Sequence, residues 1–182
     1  MRLSFLLCCG MVLAASQGLA AEPLGDWLVE NKGAQIRIEN CGGALWGVVS
    51  WETKPGHDTE NPDPALRGRP TLGMPILIEM KPTTMENWGK TEQRWKGQVY
   101  NAQNGKTYEA NIRLHTPDVL KIEGCVLGGI FCGGQEWTRV SSPNPPPSGQ
   151  PKGNAPKSTP KGAAAPVSDV CSRVANLPGR TH

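Results

Sequence analysis

The stretch "KTYEANIRLH", Lys106 to His115, decides the fold of this chain. Its apolar side chains alternate with polar ones, so that one face of the segment holds Tyr108, Ala110, Ile112 and Leu114. A period of two residues predicts a β-strand with one buried face. Asn104-Gly105 stands just ahead of it and is a strong signal for a tight hairpin turn. The preceding "RWKGQVY" is therefore predicted to be the partner strand of a hairpin.

Short alternating segments and turns continue on both sides of this hairpin. They read "DWLVE", "AQIRIEN", "ALWGVVSWE" and "MPILIEM" before it, and "VLKIEGCVLG" and "QEWTRV" after it. Only "PTTMENWGK", residues 82–90, is expected to supply a helical turn. About eight short strands in sequence order favour an all-β fold, a small antiparallel up-and-down barrel or an open sandwich. Closure into a barrel removes exposed sheet edges, and we therefore expect the barrel.

The chain begins with the features of a secretory signal peptide over residues 1–21. Arg2 precedes an apolar run from Leu3 to Ala15, and small residues end the segment at Ala20-Ala21. The run is shorter than the roughly 20 residues that a spanning helix needs. We therefore expect export, to a periplasm or by secretion, with no transmembrane segment after cleavage.

Composition changes again after the domain predicted for residues 22–140. Residues 141–182 are rich in Pro, Gly, Ser and Ala and hold little that a core would bury. Such a segment does not offset its ordering entropy, so we predict a disordered, Pro/Lys-rich tail. Three lysines make it basic, and an electrostatic contact with an anionic envelope polymer is its candidate partner interaction. They are Lys152, Lys157 and Lys161.

Four cysteines remain after removal of the signal peptide. An oxidising compartment favours disulfides, and we predict one between Cys125 and Cys132, the closest pair. Zinc is the rival interpretation, but no CxxC spacing occurs and the three histidines are scattered. We therefore predict no metal and no cofactor.

Charge and motifs argue against several classes of function. A net charge of +3 without a run of Lys or Arg gives no support for nucleic-acid binding. No nucleophile elbow, phosphate-binding loop or metalloprotease motif is present, so we predict that the chain is not an enzyme. A hydrolase using His57 and neighbouring carboxylates is the weakest alternative. Calcium binding by the same carboxylates is disfavoured, because no glycine lies among them to form the bend of an EF-type loop.

The segment "DTENPDPALRGRP", Asp58 to Pro70, is predicted to be an ordered loop, because its prolines restrict the unfolded chain. One interpretation pairs its acidic residues with its arginines. Another places the arginines at a barrel mouth, where guanidinium groups suit carboxylates or phosphates. The predicted ligand-contacting residues are Asp63, Arg67 and Arg69 of this loop, with Trp51 and Tyr108 inside the barrel.

Several phrases together resemble the bacterial family catalogued as domain of unknown function 2147. They include "GDW" at 25–27, "CGGAL" at 41–45, "NPDPALRGRPTLGMPIL" at 61–77, "WKGQVYNAQNGKTY" at 95–108 and "CGGQEWTR" at 132–139. The resemblance implies a small exported, lipocalin-like barrel with no established activity.

In lipocalin-like barrels that begin Gly-x-Trp, the Trp plugs one end and an Arg of the last strand lies across it. This resemblance assigns structural roles to Trp27, Arg139 and the nearby Trp137. The family commonly has a second cysteine where this chain has Trp46. Cys41 is then either a free thiol or the partner of Cys171.

These observations predict an exported, non-enzymatic protein that binds a small anionic or amphiphilic molecule in its barrel. The alternative is an envelope interaction or scaffold protein, with a filled barrel and the tail as a basic tether.

Overall fold

The computed structural model describes residues 21–126, 131–141 and 169–177. The predicted signal peptide, apart from Ala21, and residues 142–168 and 178–182 of the predicted tail lie outside the described part. Five side chains also lie outside it, those of Asn87, Cys125, Val126, Phe131 and Cys132. The backbone register places residues 125 and 132 opposite each other. The predicted disulfide between them therefore remains a prediction.

Eight antiparallel strands close into a barrel in sequence order, which confirms the predicted fold class. β1 pairs with β8 as well as with β2, and this pairing closes the sheet. The strands are β1 Gly25–Leu28, β2 Ala34–Cys41, β3 Ala44–Glu52, β4 Pro75–Asn87, β5 Lys90–Asn101, β6 Lys106–Thr116, β7 Val119–Val126 and β8 Phe131–Arg139.

The alternation in β6 turns its apolar side chains into the barrel interior. Ala110 and Ile112 are fully buried, and Ile112 lies opposite Trp95 of β5 and Ile122 of β7. Side chains from the other strands complete this core, because inward positions recur at every second residue. They include Ile38, Leu45, Leu77, Met80, Leu120 and Trp137.

The helical turn expected within residues 82–90 is wrong, because this segment extends β4 and β5 into a long hairpin. The two strands stay paired to the end, with Asn87 opposite Lys90. Trp88 and Gly89 form the turn with φ of 50° and 73°. Positive φ at both central residues characterises the type I′ turn, whose twist matches that of paired strands. Trp88 is 99% exposed at this tip.

One end of the barrel is closed by Trp27, which is fully buried. Its indole Nε1 donates to the carbonyl oxygen of Pro23 at 2.9 Å. The guanidinium carbon of Arg139 lies 4.2 Å from the Trp27 ring centroid, within the range of a cation–π contact. Arg139 also donates to the backbone oxygens of Leu24 at 2.6 Å and Pro117 at 2.8 Å. The N-terminal segment, β8 and the β6–β7 turn are thereby joined over the closed end.

Residues 169–177, which we call the C-terminal strap, pack against the outside of the barrel. The strap contains the helix α1, Val170–Ala175, whose Val170 and Val174 are buried in a cluster with Trp46 and Val48 of β3. Cys171 forms a disulfide with Cys41 at the end of β2. The expectation of a disordered tail is therefore corrected for these residues. A covalent bond and an apolar contact hold them in place.

The Cys41–Cys171 disulfide is needed to hold the strap helix on the barrel, because apolar burial alone gives too little free energy to fix it there. Burying a valine side chain contributes about 1.5 kcal/mol or somewhat more, whereas ordering one residue of backbone costs about 1–2 kcal/mol. The two buried valines, the partly buried Leu177 and the surfaces of Trp46 and Val48 that they cover bring the apolar term close to the cost of ordering a six-residue helix, so apolar burial alone leaves the helix marginal. The helix therefore depends on the disulfide for its position.

No helix among the described residues is both long and apolar enough to cross a membrane.

Two tryptophans provide a matched test of the closed end. Trp27→Ala should lower the free energy of unfolding by about 3–5 kcal/mol, because a buried aromatic side chain is lost and a cavity is left. Trp88→Ala should change it by no more than about 0.5 kcal/mol, because an exposed side chain has little to lose. Urea unfolding measures both variants, and equal effects would contradict this account of the closed end.

Candidate functional site

The end of the barrel opposite Trp27 holds an open cavity of about 840 Å³. The loops that follow β1, β3 and β5 contribute to its rim, together with the first residues of β8. Its floor consists of apolar side chains from the barrel interior. They are Ile36, Val49, Met74, Ile76, Val99, Ile122 and Trp137.

Small residues leave this half of the barrel unfilled. Gly124 of β7 and Gly133 of β8 lie opposite each other at inward positions on one wall, and Ala34 and Ala102 stand elsewhere in the lining. A β-carbon added at Gly124 would lie 3.5 Å from Val99 Cγ1, an ordinary contact, and one at Gly133 would meet nothing within 4 Å. An eight-stranded barrel has an interior that side chains just fill. Glycine at inward positions therefore leaves space for a ligand.

The rim is polar and includes the two charged side chains that line the cavity, Glu52 and Lys54. Glu52 has hydrogen-bond partners within the protein, whereas Lys54 has no salt bridge within the part of the chain that the structure describes. The Glu52 carboxylate accepts hydrogen bonds from the Gly56 amide at 3.2 Å and from Thr71 Oγ1 at 2.6 Å. Lys54 is exposed and has no salt bridge to any described residue. Lys54 is therefore the cation at the rim that is available to an anionic group.

The loop between β3 and β4, residues 53–74, is built on the buried carboxylate of Asp58. Tyr100 of β5 donates its hydroxyl to Asp58 Oδ1 at 2.6 Å. Asn61 Nδ2 donates to Oδ2 at 2.6 Å, and Arg69 approaches the same oxygen with Nη2 at 2.7 Å. A buried charge is tolerated only when it is paired and hydrogen-bonded, and this carboxylate meets both conditions. Because Tyr100 lines the cavity, the network fixes one wall of it.

The network shifts the pKa values of two of its members. Burial raises the pKa of Asp58, but hydrogen bonds from Tyr100, Asn61 and Arg69 and the charge of Arg69 outweigh it, so the net pKa is lowered. Burial, with the hydrogen bond to Asp58, raises the pKa of Tyr100. Tyr100 is therefore a protonated donor and Asp58 a charged acceptor at neutral pH.

The loop also rests on the β5–β6 turn. Gly105 has a φ of +67°, and a β-carbon there would collide with the carbonyl oxygen of Glu60. Glycine is required at this position both by the turn and by the close approach of the loop. The hairpin signal at Asn104-Gly105 thus also serves the loop around Asp58.

The three loop residues predicted to contact a ligand lie within the loop and do not line the cavity. Arg69 pairs with Asp58, and its guanidinium carbon lies 5.7 Å from the centroid of the Tyr100 ring. Arg67 Nε donates to the Asn61 carbonyl oxygen at 2.8 Å. Asp63 caps the short 3₁₀ helix Pro64–Leu66 by accepting from the Ala65 amide at 2.9 Å. The interpretation that pairs acidic residues with arginines is the one observed, for Asp58 with Arg69.

The two predicted interior residues have different positions. Tyr108 lines the cavity, and its hydroxyl accepts a hydrogen bond from Asn104 at 2.9 Å. Trp51 does not line it, because the pairing of β2 with β3 shifts by one residue at this point. Val49 lies opposite Ile36, whereas Trp51 lies opposite Gln35. Such a bulge exchanges the faces of all later residues.

Neither Lys54 nor the inward-facing glycines Gly124 and Gly133 were predicted from the sequence to line a site. Because the bulge turns Glu52 toward the cavity, strict alternation from Val49 misplaces every following residue. The glycines of "CGGQEW" are visible in the sequence, but an inward-facing glycine cannot be distinguished there from one at a turn.

In the described ranges 21–126, 131–141 and 169–177, no group of three or more His, Cys, Asp or Glu side chains could hold a metal ion. His57 is exposed and forms an isolated β-bridge with Pro70.

Comparison with known proteins places this geometry in context. Residues 25–139 match the model of a family described as "Uncharacterized protein conserved in bacteria (DUF2147)". The fold is similar to that of protein HP1028 from Helicobacter pylori, which is described as belonging to the lipocalin family. The TM-score is 0.56 at 22% sequence identity, over 67% of this chain and 85% of that chain. No curated protein matches the chain.

Asp58→Asn tests the network that holds the loop. The variant replaces the carboxylate by an amide, whose NH₂ group would face the donors of Tyr100, Asn61 and Arg69 and leave the Arg69 charge without its partner. We expect the free energy of unfolding at pH 7 to fall by about 3 kcal/mol. Asp63→Asn, in the same loop, is the control and should be nearly neutral, since Asn caps a helix as well as Asp does.

The contribution of the Asp58 carboxylate to the free energy of unfolding should decrease as the pH falls, because the folded pKa of Asp58 is lowered. A lowered folded pKa stabilises the folded state above the unfolded value of about 3.9, and this stabilisation is lost as pH falls through the folded pKa. The difference between wild type and Asp58→Asn in urea unfolding should therefore narrow below about pH 4. A difference that stays constant from pH 7 to pH 2 would rule out the charged Asp58.

Proposed function

The chain belongs to the uncharacterized bacterial family DUF2147, and we propose that it binds a small amphiphilic molecule with an anionic group in the open half of its barrel. The observation that carries this proposal is the cavity of about 840 Å³, open at one end, with an apolar floor and a free lysine at its rim. Ligand sites are commonly clefts of about 300–1,000 Å³ with mostly apolar walls and a few polar groups.

Different parts of the lining suit the two parts of such a ligand: the apolar floor suits its chain, and Lys54 at the rim suits its anionic group. An apolar chain placed over Ile36, Val99 and Ile122 gains about 0.8 kcal/mol for each methylene removed from water. An anionic group next to Lys54 gains about 1 kcal/mol, since that side chain is exposed and screened by solvent. The apolar chain of the ligand therefore contributes most of the affinity. The attraction between the anionic group and Lys54 keeps that group at the rim, so the apolar end enters the barrel first.

The chemistry of the lining supports binding over catalysis. Four titratable side chains line the cavity. Glu52 accepts from Gly56 and Thr71, and Tyr100 donates to Asp58. The Tyr108 hydroxyl accepts from Asn104, and Lys54 is exposed at the rim. This leaves no base and nucleophile in mutual contact within the described lining. We accordingly propose a non-enzymatic role.

We also propose that the protein acts outside the cytoplasm. The Cys41–Cys171 disulfide supports this location, because disulfides persist in exported proteins and are rare in reducing compartments. The basic, then apolar, N-terminal segment supports it independently.

An envelope interaction role is the second candidate. Trp88 is 99% exposed and Met85 is 44% exposed at the tip of the β4–β5 hairpin, and such exposed apolar residues are typical of contact surfaces. That role was predicted for a filled barrel. The open cavity favours the binding role.

Filling the cavity provides the main test of binding. Gly124→Leu places a side chain into the cavity from a position where a β-carbon meets only ordinary contacts. We expect it to weaken binding of 11-(dansylamino)undecanoic acid, measured by fluorescence titration, by about tenfold, or roughly 1.4 kcal/mol. Gly68→Leu is the control, because a β-carbon there meets nothing within 4 Å and Gly68 does not line the cavity. Equal binding by both variants would contradict the proposal.

Reversing the rim charge tests the anionic group. Lys54→Glu should weaken the same probe about fivefold at low ionic strength, and the difference should shrink as salt rises. The methyl ester of the probe is uncharged and serves as the control ligand, so its affinity should not change. A similar loss for acid and ester would mean that Lys54 acts through packing and that its charge has no role.

A further inference from the structure

We propose that the C-terminal strap is a redox-controlled brace for the cavity mouth. In the oxidised protein the Cys41–Cys171 disulfide holds the strap on the barrel, and Arg173 of the strap fixes the segment Thr71–Met74, which contributes to the cavity lining. Reduction by a dithiol releases the strap and loosens that segment. The effect on ligand affinity rests on the binding function proposed above, whereas the effect on the segment itself does not.

Within the described residues, Arg173 is the strap side chain that contacts the cavity mouth, at Gly73. A β-carbon at Gly73 would collide with Arg173 Nη1 and would lie 3.0 Å from its Cζ, so the guanidinium rests on the Gly73 backbone. Gly73 has a φ of +81°, which L side chains rarely adopt. Glycine thus provides both the turn and the space that Arg173 occupies.

The segment under Arg173 belongs to the cavity wall. Thr71 and Met74 line the cavity on either side of Gly73. The Gly73 amide donates to the Val49 carbonyl oxygen at 2.7 Å, and the Val49 amide donates to the Met74 carbonyl oxygen at 3.0 Å. Val49 also lines the cavity. A change in the position of Gly73 is therefore transmitted directly to three lining residues.

The position of Arg173 depends on the disulfide. Cys171 lies two residues before Arg173 on a helix of six residues, and it is bonded to Cys41. Apart from that bond, the helix is held mainly by Val170 and Val174 against Trp46 and Val48. Since this burial alone leaves the helix marginal, cleavage of the bond favours release.

The redox step is a pair of thiol–disulfide exchanges. A thiolate of the dithiol attacks Sγ of Cys171, the more exposed of the two cysteines, and displaces the Cys41 thiolate, which takes up a proton. The second thiol of the reductant then attacks the mixed disulfide and displaces Cys171. The protein gains two electrons and two protons as two thiols, and the dithiol becomes a disulfide.

Amide hydrogen exchange of the full-length protein, followed by NMR, tests the brace without any ligand. The variants are Arg173→Ala, which removes the contact, and Cys41→Ser/Cys171→Ser, which removes the bond. Lys90→Ala is the matched control, because it removes an exposed cation at the far end of the barrel. We expect the Gly73 and Met74 amides to exchange at least fivefold faster in the first two variants. Ile112, in the filled half, should keep its rate in all of them.

Binding of 11-(dansylamino)undecanoic acid then tests the consequence. The dissociation constant should rise about fivefold in both strap variants and in wild type treated with dithiothreitol, which lies within the usual range of coupling between sites. The double serine variant should not respond further to dithiothreitol, which assigns the response to this bond and not to Cys125 or Cys132.

The two proposals fail in different ways. If wild type binds no probe but the exchange rates change as expected, the binding function is wrong and the brace stands. If Gly73 and Met74 exchange at wild-type rates in both strap variants, the brace is overturned, whatever the probe does.

Discussion

Closure of eight strands into a barrel is the constraint on which the other features of this protein depend. A closed sheet of this size encloses a volume that side chains just fill. At the Trp27 end, tryptophan, leucine and isoleucine side chains fill it, and the Arg139 guanidinium covers the opening. At the other end, Gly124 and Gly133, opposite each other at inward positions of β7 and β8, leave it open. The same sheet is thus a core at one end and a site at the other.

The loop that follows β3 is ordered by electrostatics, because it has few apolar side chains to bury. A carboxylate with no solvent exposure, Asp58, gathers Tyr100, Asn61 and Arg69 around it. This explains why the arginines of the loop do not reach the cavity. Arg69 neutralises a buried charge, and Arg67 holds the backbone of Asn61. The loop therefore positions the wall of the site, and the free cation at the rim comes from Lys54.

Much of the fold follows from local patterns in the sequence. Alternation in β6 and the Asn104-Gly105 turn predict a hairpin that is present, and closure in sequence order follows from the run of short strands. The family resemblance, carried by phrases along the whole domain, is confirmed by the match over residues 25–139. Trp27 and Arg139 lie against each other, as that resemblance implies.

The parts that were missed depend on interactions between distant residues or on single irregularities. One extra residue in β3 turns Trp51 away from the cavity, and no local pattern marks it. The resemblance left Cys41 either free or bonded to Cys171, and the bond is the alternative observed, but across a separation of 130 residues no local pattern decides between the two. The tail composition predicts disorder, yet two valines and one cysteine suffice to fix a helix when a covalent bond holds it.

The central claim is that a ligand occupies the open half of the barrel, with its apolar chain on the floor of the cavity. Methyl NMR spectra of the protein with a dodecanoate carrying a nitroxide at its chain end test this claim most directly. A ligand bound in this way should selectively broaden the methyl groups of Ile36, Ile76, Val99 and Ile122, which line the cavity, with little effect on Leu45 in the filled half. Broadening confined to methyl groups outside the barrel interior, such as those of Val170 and Val174 between the strap and the barrel wall, would contradict binding inside the barrel.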